Sequence, residues 1–517
     1  MGDWKKQKQA QVVTGSGTKR SEAPLPQLDL CVMNPPFVRS VGGNLLFGSL
    51  PLNRSAMQKE LRDRISKNAS FASITAGLGA VFVAVADQHI KRGGRIALVL
   101  PAALTTGPAW EKTRQLLAET YFIEIVASHD PEEWAFSENT DLSEVLVVAR
   151  KRLIGEGVEG RGTVFVNLWV NPRIAADALG IADTVLKSQA AELGTVEEPS
   201  DAVAPIHVGD AKWGEAIEIP TTSLTGNGWL FGCYARTELV RTVALLRKGS
   251  LRLPGENSAA SLPMVPLKTL AILGPDRRDI YDGFNKSSST TPFPALWGHK
   301  AKNMRSIGGK PNLWLSPLQK AKKGRPFRDA STLWSRAGRI MIGERLWLVS
   351  QRVTAVYLSS PALANVWWPV RLKKEGDERQ EKILALWLNS TLGILMTVAH
   401  RVPTRGPWVS FKKPTLEGLP VLDVTALGET KIANLAKTFD SLASEPLAPI
   451  PSLAIDPVRR RIDEALMTEL GLPDVRILAQ LLAEEPIVSN KRIVGAAKQN
   501  RQATIAIDFS KSDTAAK

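Results

Sequence analysis

The sequence predicts an α/β fold: an open, doubly wound sheet, then an irregular α+β region, then a helical C-terminal region. Three observations carry this. Short apolar runs at Leu28–Met33, Arg95–Pro101, Tyr121–Ala127 and Val145–Ala149 alternate with helical patterns over 71–90 and from Trp110 to Leu117, the alternation of helices packed on a largely parallel sheet. Residues 211–424 then become strand-rich and irregular, with many Trp and Pro. From 425 onward helical spacing returns, at Ile432–Leu442 and Pro457–Leu470.

Taken in order, residues 1–27 are polar and basic, with Lys5, Lys6, Lys8, Lys19 and Arg20, and predict a flexible arm without the apolar core of a signal peptide. The strand Leu28–Met33 runs straight into Asn34-Pro35-Pro36-Phe37. The buried helix over 71–90 contains Gly77 and Gly79, which weaken it and suit close packing. Lys91-Arg92-Gly93-Gly94 ends it before the next strand. A connecting region, 153–210, is rich in Gly, Ala and acidic residues, with one strand at Asn167–Asn171 and a helix from Ala175 to Leu193. Within 211–424, Arg339–Glu344 and Val353–Leu358 read as paired strands and Lys382–Met396 as one amphipathic helix. A helical region over 425–489 precedes a polar tail, 490–517, predicted to be disordered.

Composition bounds the function. A length of 517 residues suits three or four units. Lys and Arg number 66 against 51 Asp and Glu, a net charge of +15 and a pI near 9.7, which favours a polyanionic partner. Cys31 and Cys233 are too few for a disulfide framework or a zinc site and suit a reducing cytoplasm. The histidines, at 89, 129, 207, 299 and 400, lack metal-ligand spacing, so no metal site is expected. No apolar run approaches the length of a membrane span.

Asn34-Pro35-Pro36-Phe37 is where chemistry is expected. The exocyclic amine of adenine is a weak nucleophile because its lone pair is delocalised into the ring. An amide oxygen from Asn34 and the carbonyl of Pro35 can both accept hydrogen bonds from that amine and draw it toward a reactive geometry. Pro36 stiffens the turn, and Phe37 offers a flat face to a base taken out of the duplex. The same four letters also suit a strand that simply ends in an Asn-Pro turn.

With these residues in view, residues 28–152 resemble the second half of the catalytic domain of adenine-N6 DNA methyltransferases, close to the large modification subunits of restriction and phage-defence systems. Asn34 to Phe37 matches the family's catalytic motif, Gly93-Gly94-Arg95-Ile96-Ala97-Leu98-Val99-Leu100-Pro101 its following strand, and Asp141 to Arg150 its last strand. Leu384-Ala-Leu-Trp-Leu-Asn389-Ser390-Thr391-Leu392-Gly393 resembles part of the target-recognition domain. The resemblance implies the second half of a Rossmann-like methyltransferase sheet over 28–152 and a target-recognition domain over 211–424. It also implies S-adenosylmethionine as methyl donor and double-stranded DNA as substrate. The family's Gly-rich cofactor turn and the acidic residue that grips the ribose do not precede Asp29. The strand Leu28–Met33 would then carry an unpaired apolar edge. The expectation is a partner chain that supplies the cofactor-binding half, or a split or truncated gene product. The alternative is a catalytically inactive recognition module of a defence complex.

Two stretches are candidates for DNA contact. Between Gly283 and Arg328 there are ten Lys or Arg and no Asp or Glu, interleaved with Trp297 and Trp314. Lys300, Lys302, Arg305, Lys310, Lys320, Lys322, Lys323 and Arg325 are the expected phosphate contacts, or else the window is a solvated surface segment. In the second stretch, 400–413, Arg401 and Arg405 are placed to reach guanine edges or phosphates and Trp408 a sugar or base. Alternatively Trp408 anchors the loop in the core.

Overall fold

A computed structural model describes residues 9–13, 20–24, 26–37, 56, 59, 63, 72–128, 133, 135–136, 143–190, 204–224, 229–298, 304–374, 377–404 and 406–493. Its architecture is mixed α/β, built on two large sheets joined by one continuous apolar core.

The first sheet contains β1 (Leu28–Met33), β2 (Ile90–Pro101), β3 (Tyr121–Ser128), β4 (Glu144–Lys151), β5 (Gly162–Leu168), β6 (Ala204–Val208) and β7 (Ala211–Pro220), in the spatial order β1-β2-β4-β3-β5-β7-β6. β1 and β2 pair in parallel, as do β3 and β5, while β4 lies antiparallel between β2 and β3. β1, β2, β3 and β5 therefore all end at the same edge of the sheet.

The register explains which side chains are buried. One row across the sheet runs Met33, Leu98, Val147, Val126, Phe165, Ile217. Past half-buried Met33, every member of this row is buried. Helices α1 (Leu78–His89) and α2 (Glu111–Thr120) border this side of the core, with Ala80, Val83, Leu116 and Leu117 buried in the same cluster. The row on the opposite face runs Val32, Ala97, Val148, Ile125, Val164. Its cover is graded: Val164 is buried beneath Ile181 and Val185 of α3 (Ala175–Ala190), whereas Val32 is 72% exposed. Leu30, on the same face, is 57% exposed.

Several expectations are corrected. The sheet does not stop at 152: β5, β6 and β7 extend it through the expected connecting region and past 210 to Pro220. β7 was hidden because Glu215 interrupts its apolar pattern. That carboxylate is nevertheless buried, held by Lys212 at 2.8 Å and by the backbone N–H and hydroxyl of Thr237, both at 3.0 Å. Within the expected arm, Gln9–Val13 and Arg20–Pro24 pair as an antiparallel hairpin. Residues 494–517 lie outside the described residues.

The second sheet has β8 (Ala271–Leu273) at one edge and β9 (Phe284–Ser287) at the other. Between them, counting from β8, lie β14 (Trp367–Leu372), β12 (Gly338–Gly343), β13 (Ala355–Ala364), β10 (Pro294–Leu296) and β11 (Leu313–Pro317). β12 and β13 pair antiparallel, as the sequence predicted. Helix α4 (Thr237–Leu246) lies buried in the shared core, and the expected single helix over 382–396 is instead two helices, α5 (Glu378–Asn389) and α6 (Thr391–Ala399), bent by 72°. Ser390 makes the break: its hydroxyl accepts from the Gly393 N–H at 3.0 Å, an N-cap for α6. Gly393 is required there, because a Cβ would lie 1.8 Å from the carbonyl oxygen of Trp387. The C-terminal helices α7 (Glu429–Leu442), α8 (Pro457–Leu470) and α9 (Arg476–Glu484) complete the same core. No single helix among the described residues is long and apolar enough to cross a membrane.

Candidate active site

Ligands of open α/β sheets sit at the carboxyl ends of the parallel strands, and Asn34-Pro35-Pro36-Phe37 leaves the first sheet at that edge. β1 runs beside β2 with Met33 opposite Leu98, so the motif emerges level with the end of β2 at Pro101. Pro35 is buried, Phe37 half-buried, and Asn34 and Pro36 exposed. The chain is thus anchored at Pro35, with Asn34 at the surface. Farther along the edge, Ser128 at the end of β3 donates to Asn167 Oδ1 at 3.1 Å. Buried Glu144, at the start of β4, accepts from the Phe136 N–H at 2.8 Å.

The second half of the chain is stitched to this edge. Thr106 donates to the Arg401 carbonyl at 2.6 Å, Ser143 to the Thr404 carbonyl at 2.8 Å, and the Trp229 N–H to the Thr105 carbonyl at 2.7 Å. A small cavity of about 80 Å³ lies in the seam, lined from both sides by Ser128, Glu144, Asn167, Arg401 and Glu485 among others. Glu485 is fully buried, and burial pushes its carboxyl up to about 7, although it accepts from the N–H groups of Ala235 and Arg236 at 3.0 and 2.9 Å.

The structure redistributes the expected DNA contacts. Arg401 is not one of them: it is 7% exposed and donates to the carbonyls of Cys233 and Val398, both at 2.9 Å. Its charge is used inside the protein, so a polyanion outside cannot meet it. Trp408 is 38% exposed, packed edge-on against Trp347 at 5.0 Å and overlain by Arg345 at 4.8 Å. It is therefore part anchor, part surface. Arg405, Lys300 and Lys302 lie outside the described residues.

In the basic window, Arg325 pairs with Asp282 and Arg328 with Asp279 at 3.2 Å. Lys322 donates to the carbonyls of Tyr281 and Phe284 at 2.6 and 3.3 Å, capping the C-terminus of the helix Arg277–Gly283. Arg325 and Lys322 thus hold the loop to its own helix. Arg305, Lys310, Lys320 and Lys323 remain exposed.

The segment Leu384–Gly393 is a structural corner. Asn389 is fully buried, its Oδ1 accepting from the Thr354 N–H at 3.0 Å and its Nδ2 donating to the carbonyls of Ala355 and Ala385 at 2.8 Å each. Thr391 donates through its N–H and hydroxyl to Asp463, at 2.8 and 2.6 Å. Arg459, fully buried and paired with Asp456 at 3.0 Å, donates to the Asn389 carbonyl at 3.2 Å. Polar letters on helical spacing gave no hint of this buried network.

Gly77 and Gly79 are accounted for by helix α1. Gly79 sits in α1 where a Cβ would meet the Trp110 ring at 3.2 Å, and Gly77 precedes the helix at φ 97°. Gly79 thus serves the packing of α1 and Gly77 the turn of the backbone into it. Among the described residues, no group of three or more His, Cys, Asp or Glu is arranged to hold a metal ion.

The sequence matches no protein family and no curated protein. Among solved structures the chain is similar to the type IIG restriction endonuclease BpuSI, at 13% identity over 91% of this chain and 55% of that one, with a TM-score of 0.34. It is similar to the type IIL restriction-modification enzyme MmeI in complex with DNA, at 12% identity over 88% and 56% of the two chains, with a TM-score of 0.43. A third is the methyltransferase subunit of the type I restriction-modification system from Streptococcus thermophilus, at 19% identity over 32% of each chain, with a TM-score of 0.23. The chain spans about half the length of the first two. Likenesses this distant carry no argument about chemistry.

Proposed function

We propose that this chain is the catalytic-motif and recognition portion of an adenine-N6 DNA methyltransferase and acts with a partner chain that holds S-adenosylmethionine. One observation carries the reading: Asn34-Pro35-Pro36-Phe37 leaves the sheet at its carboxyl edge, anchored at buried Pro35, with Asn34 and Pro36 exposed and Phe37 half-buried. A flipped adenine would offer its amine to the Asn34 Oδ1 and the Pro35 carbonyl, while Phe37 lies against the ring. These acceptors hold the amine in a geometry that frees its lone pair. S-adenosylmethionine would supply the methyl group from the partner's side.

The partner is argued from the sheet. β1 is an edge strand of parallel type, a class normally covered on both faces, yet Leu30 and Val32 are largely exposed. A protein that adds a strand beside β1 and a helix over Leu30 and Val32 would bury both. Arg305, Lys310, Lys320 and Lys323 would then contact DNA phosphates.

Gly77 turns the backbone into α1 and Gly79 packs against Trp110, local roles that favour a second reading, a recognition module without catalysis. Tritiated methyl transfer to DNA separates the two, measured for the full chain alone and with the product of the adjacent upstream gene. Transfer that needs the second protein and is lost in Asn34→Ala supports the proposal. Transfer absent in both mixtures, or surviving Asn34→Ala, overturns it.

A further inference from the structure

The outer edge of the second sheet at β8 carries a groove that no stretch of sequence announces. Its floor is the edge strand β8, which pairs only with β14. Lys268 and Thr269 come from the turn Leu267–Leu270 just before β8, Arg336 from the connection into β12, Lys373 from the residue after β14, and Lys413 from the start of the turn Lys413–Glu417. Together they line an open cavity of about 760 Å³ that contains one carboxylate, Glu417, against four cations.

These cations differ from the two neutralised arginines of the basic window. Arg325 and Arg328 are matched by Asp282 and Asp279, whereas Lys268, Arg336 and Lys373 are exposed and form no ion pair among the described residues. Lys413 is fixed in place, its ammonium 3.2 and 3.4 Å from the carbonyls of Leu273 and Gly274. The groove therefore joins one positioned cation to three exposed, unneutralised ones. Ile272, 41% exposed, adds an apolar surface at its floor. Unneutralised Lys and Arg over an open groove suit a phosphate backbone, because binding releases the counterions condensed on it. A hydroxyl such as that of Thr269 can add a hydrogen bond to phosphate oxygen.

We infer that the groove formed by Lys268, Arg336, Lys373 and Lys413 is a docking surface for the phosphate backbone of double-stranded DNA. This rests on the reading that the chain binds duplex DNA. The groove is lined from β8 and from the residues that flank β12 and β14, whereas Lys320 and Lys323 follow β11, so separate variants read their contributions.

The test is binding of a fluorescent DNA duplex to the full chain by anisotropy across a KCl series. The variants are Lys268→Ala/Arg336→Ala/Lys373→Ala, all surface positions, and Lys320→Ala/Lys323→Ala in the basic window. Each neutralised phosphate contributes about 0.9 to the slope of log affinity against log salt. The triple variant should therefore lose up to about 2.7 from the wild-type slope and bind more weakly. An unchanged slope in that variant, with salt-dependent binding intact in the wild type, overturns the groove and leaves the DNA reading standing. No salt-dependent binding by the wild type overturns both. Loss of poly-glutamate binding with duplex binding unchanged would assign the surface to an acidic protein and also overturn the inference.

Discussion

Asn389→Ala should destabilise the protein by about 3 kcal/mol, although the residue touches no proposed substrate. The side chain is fully buried between α5 and β13. Removing its amide leaves the Thr354 N–H without its 3.0 Å acceptor, a loss of about 1–3 kcal/mol for a buried donor. The carbonyls of Ala355 and Ala385 each lose a 2.8 Å donor, about 1 kcal/mol apiece. Asn389→Asp is the informative companion. It keeps the acceptor for Thr354 but turns an oxygen toward those two carbonyls, so it should be at least as damaging at neutral pH and partly relieved in acid. Urea unfolding followed by tryptophan fluorescence reads both. A loss below about 1 kcal/mol in Asn389→Ala would refute the argument that this corner is held by buried hydrogen bonds.

Further predictions concern charge and cover. Glu485, with its carboxyl raised to about 7 by burial, binds a proton more tightly in the folded protein than in the unfolded chain. Its contribution to stability is therefore complete below the ordinary carboxylate range near pH 4 and is lost as pH rises through 7, a change on the order of 3 kcal/mol. Glu381, raised to about 7, and Asp463, raised to about 6, act in the same direction. Glu485→Gln should flatten part of the fall in melting temperature between pH 5 and 8, and an unaltered pH profile would contradict this. Arg401→Ala should lower the melting temperature by several degrees while leaving the salt dependence of DNA binding unchanged. A reduced salt slope would return Arg401 to the interface. Leu30→Lys/Val32→Lys should change stability by no more than about 0.5 kcal/mol per site, as exposed positions do, yet abolish co-purification with the cofactor-binding partner. Retained association would place that partner elsewhere.

How much of this was legible in the sequence depended on whether the controlling contacts were local. β1 to β4, α1 and α2 could be read because apolar residues alternate there at the spacing that the two faces of the sheet require. β7 was missed because a buried carboxylate, Glu215, broke the alternation, and its partner Thr237 comes from outside the strand. The corner at Ser390 was read as continuous helix because the need for Gly393 arises only where the second helix folds back on the Trp387 carbonyl. The charge of the basic window was overread: a count starting at Gly283 stops just short of Asp279 and Asp282, which neutralise two of its arginines. Lys268, Arg336, Lys373 and Lys413 could not have been grouped at all, since only the edge of a folded sheet brings them together. Asn34 to Phe37 was legible as a motif, and the structure adds that it leaves the sheet at the carboxyl edge with Pro35 as its anchor.

The central claim is that Asn34 and its three neighbours seat an adenine for methylation, and single-molecule sequencing of genomic DNA tests it most directly. Host cells lacking adenine methylation would express this chain together with the adjacent upstream gene, as wild type or as Asn34→Ala. The account predicts N6-methyladenine at one recurring sequence in the wild-type host and none in the variant. Methylation that persists in Asn34→Ala would contradict it, as would its absence from a wild-type host in which both proteins are soluble and associated.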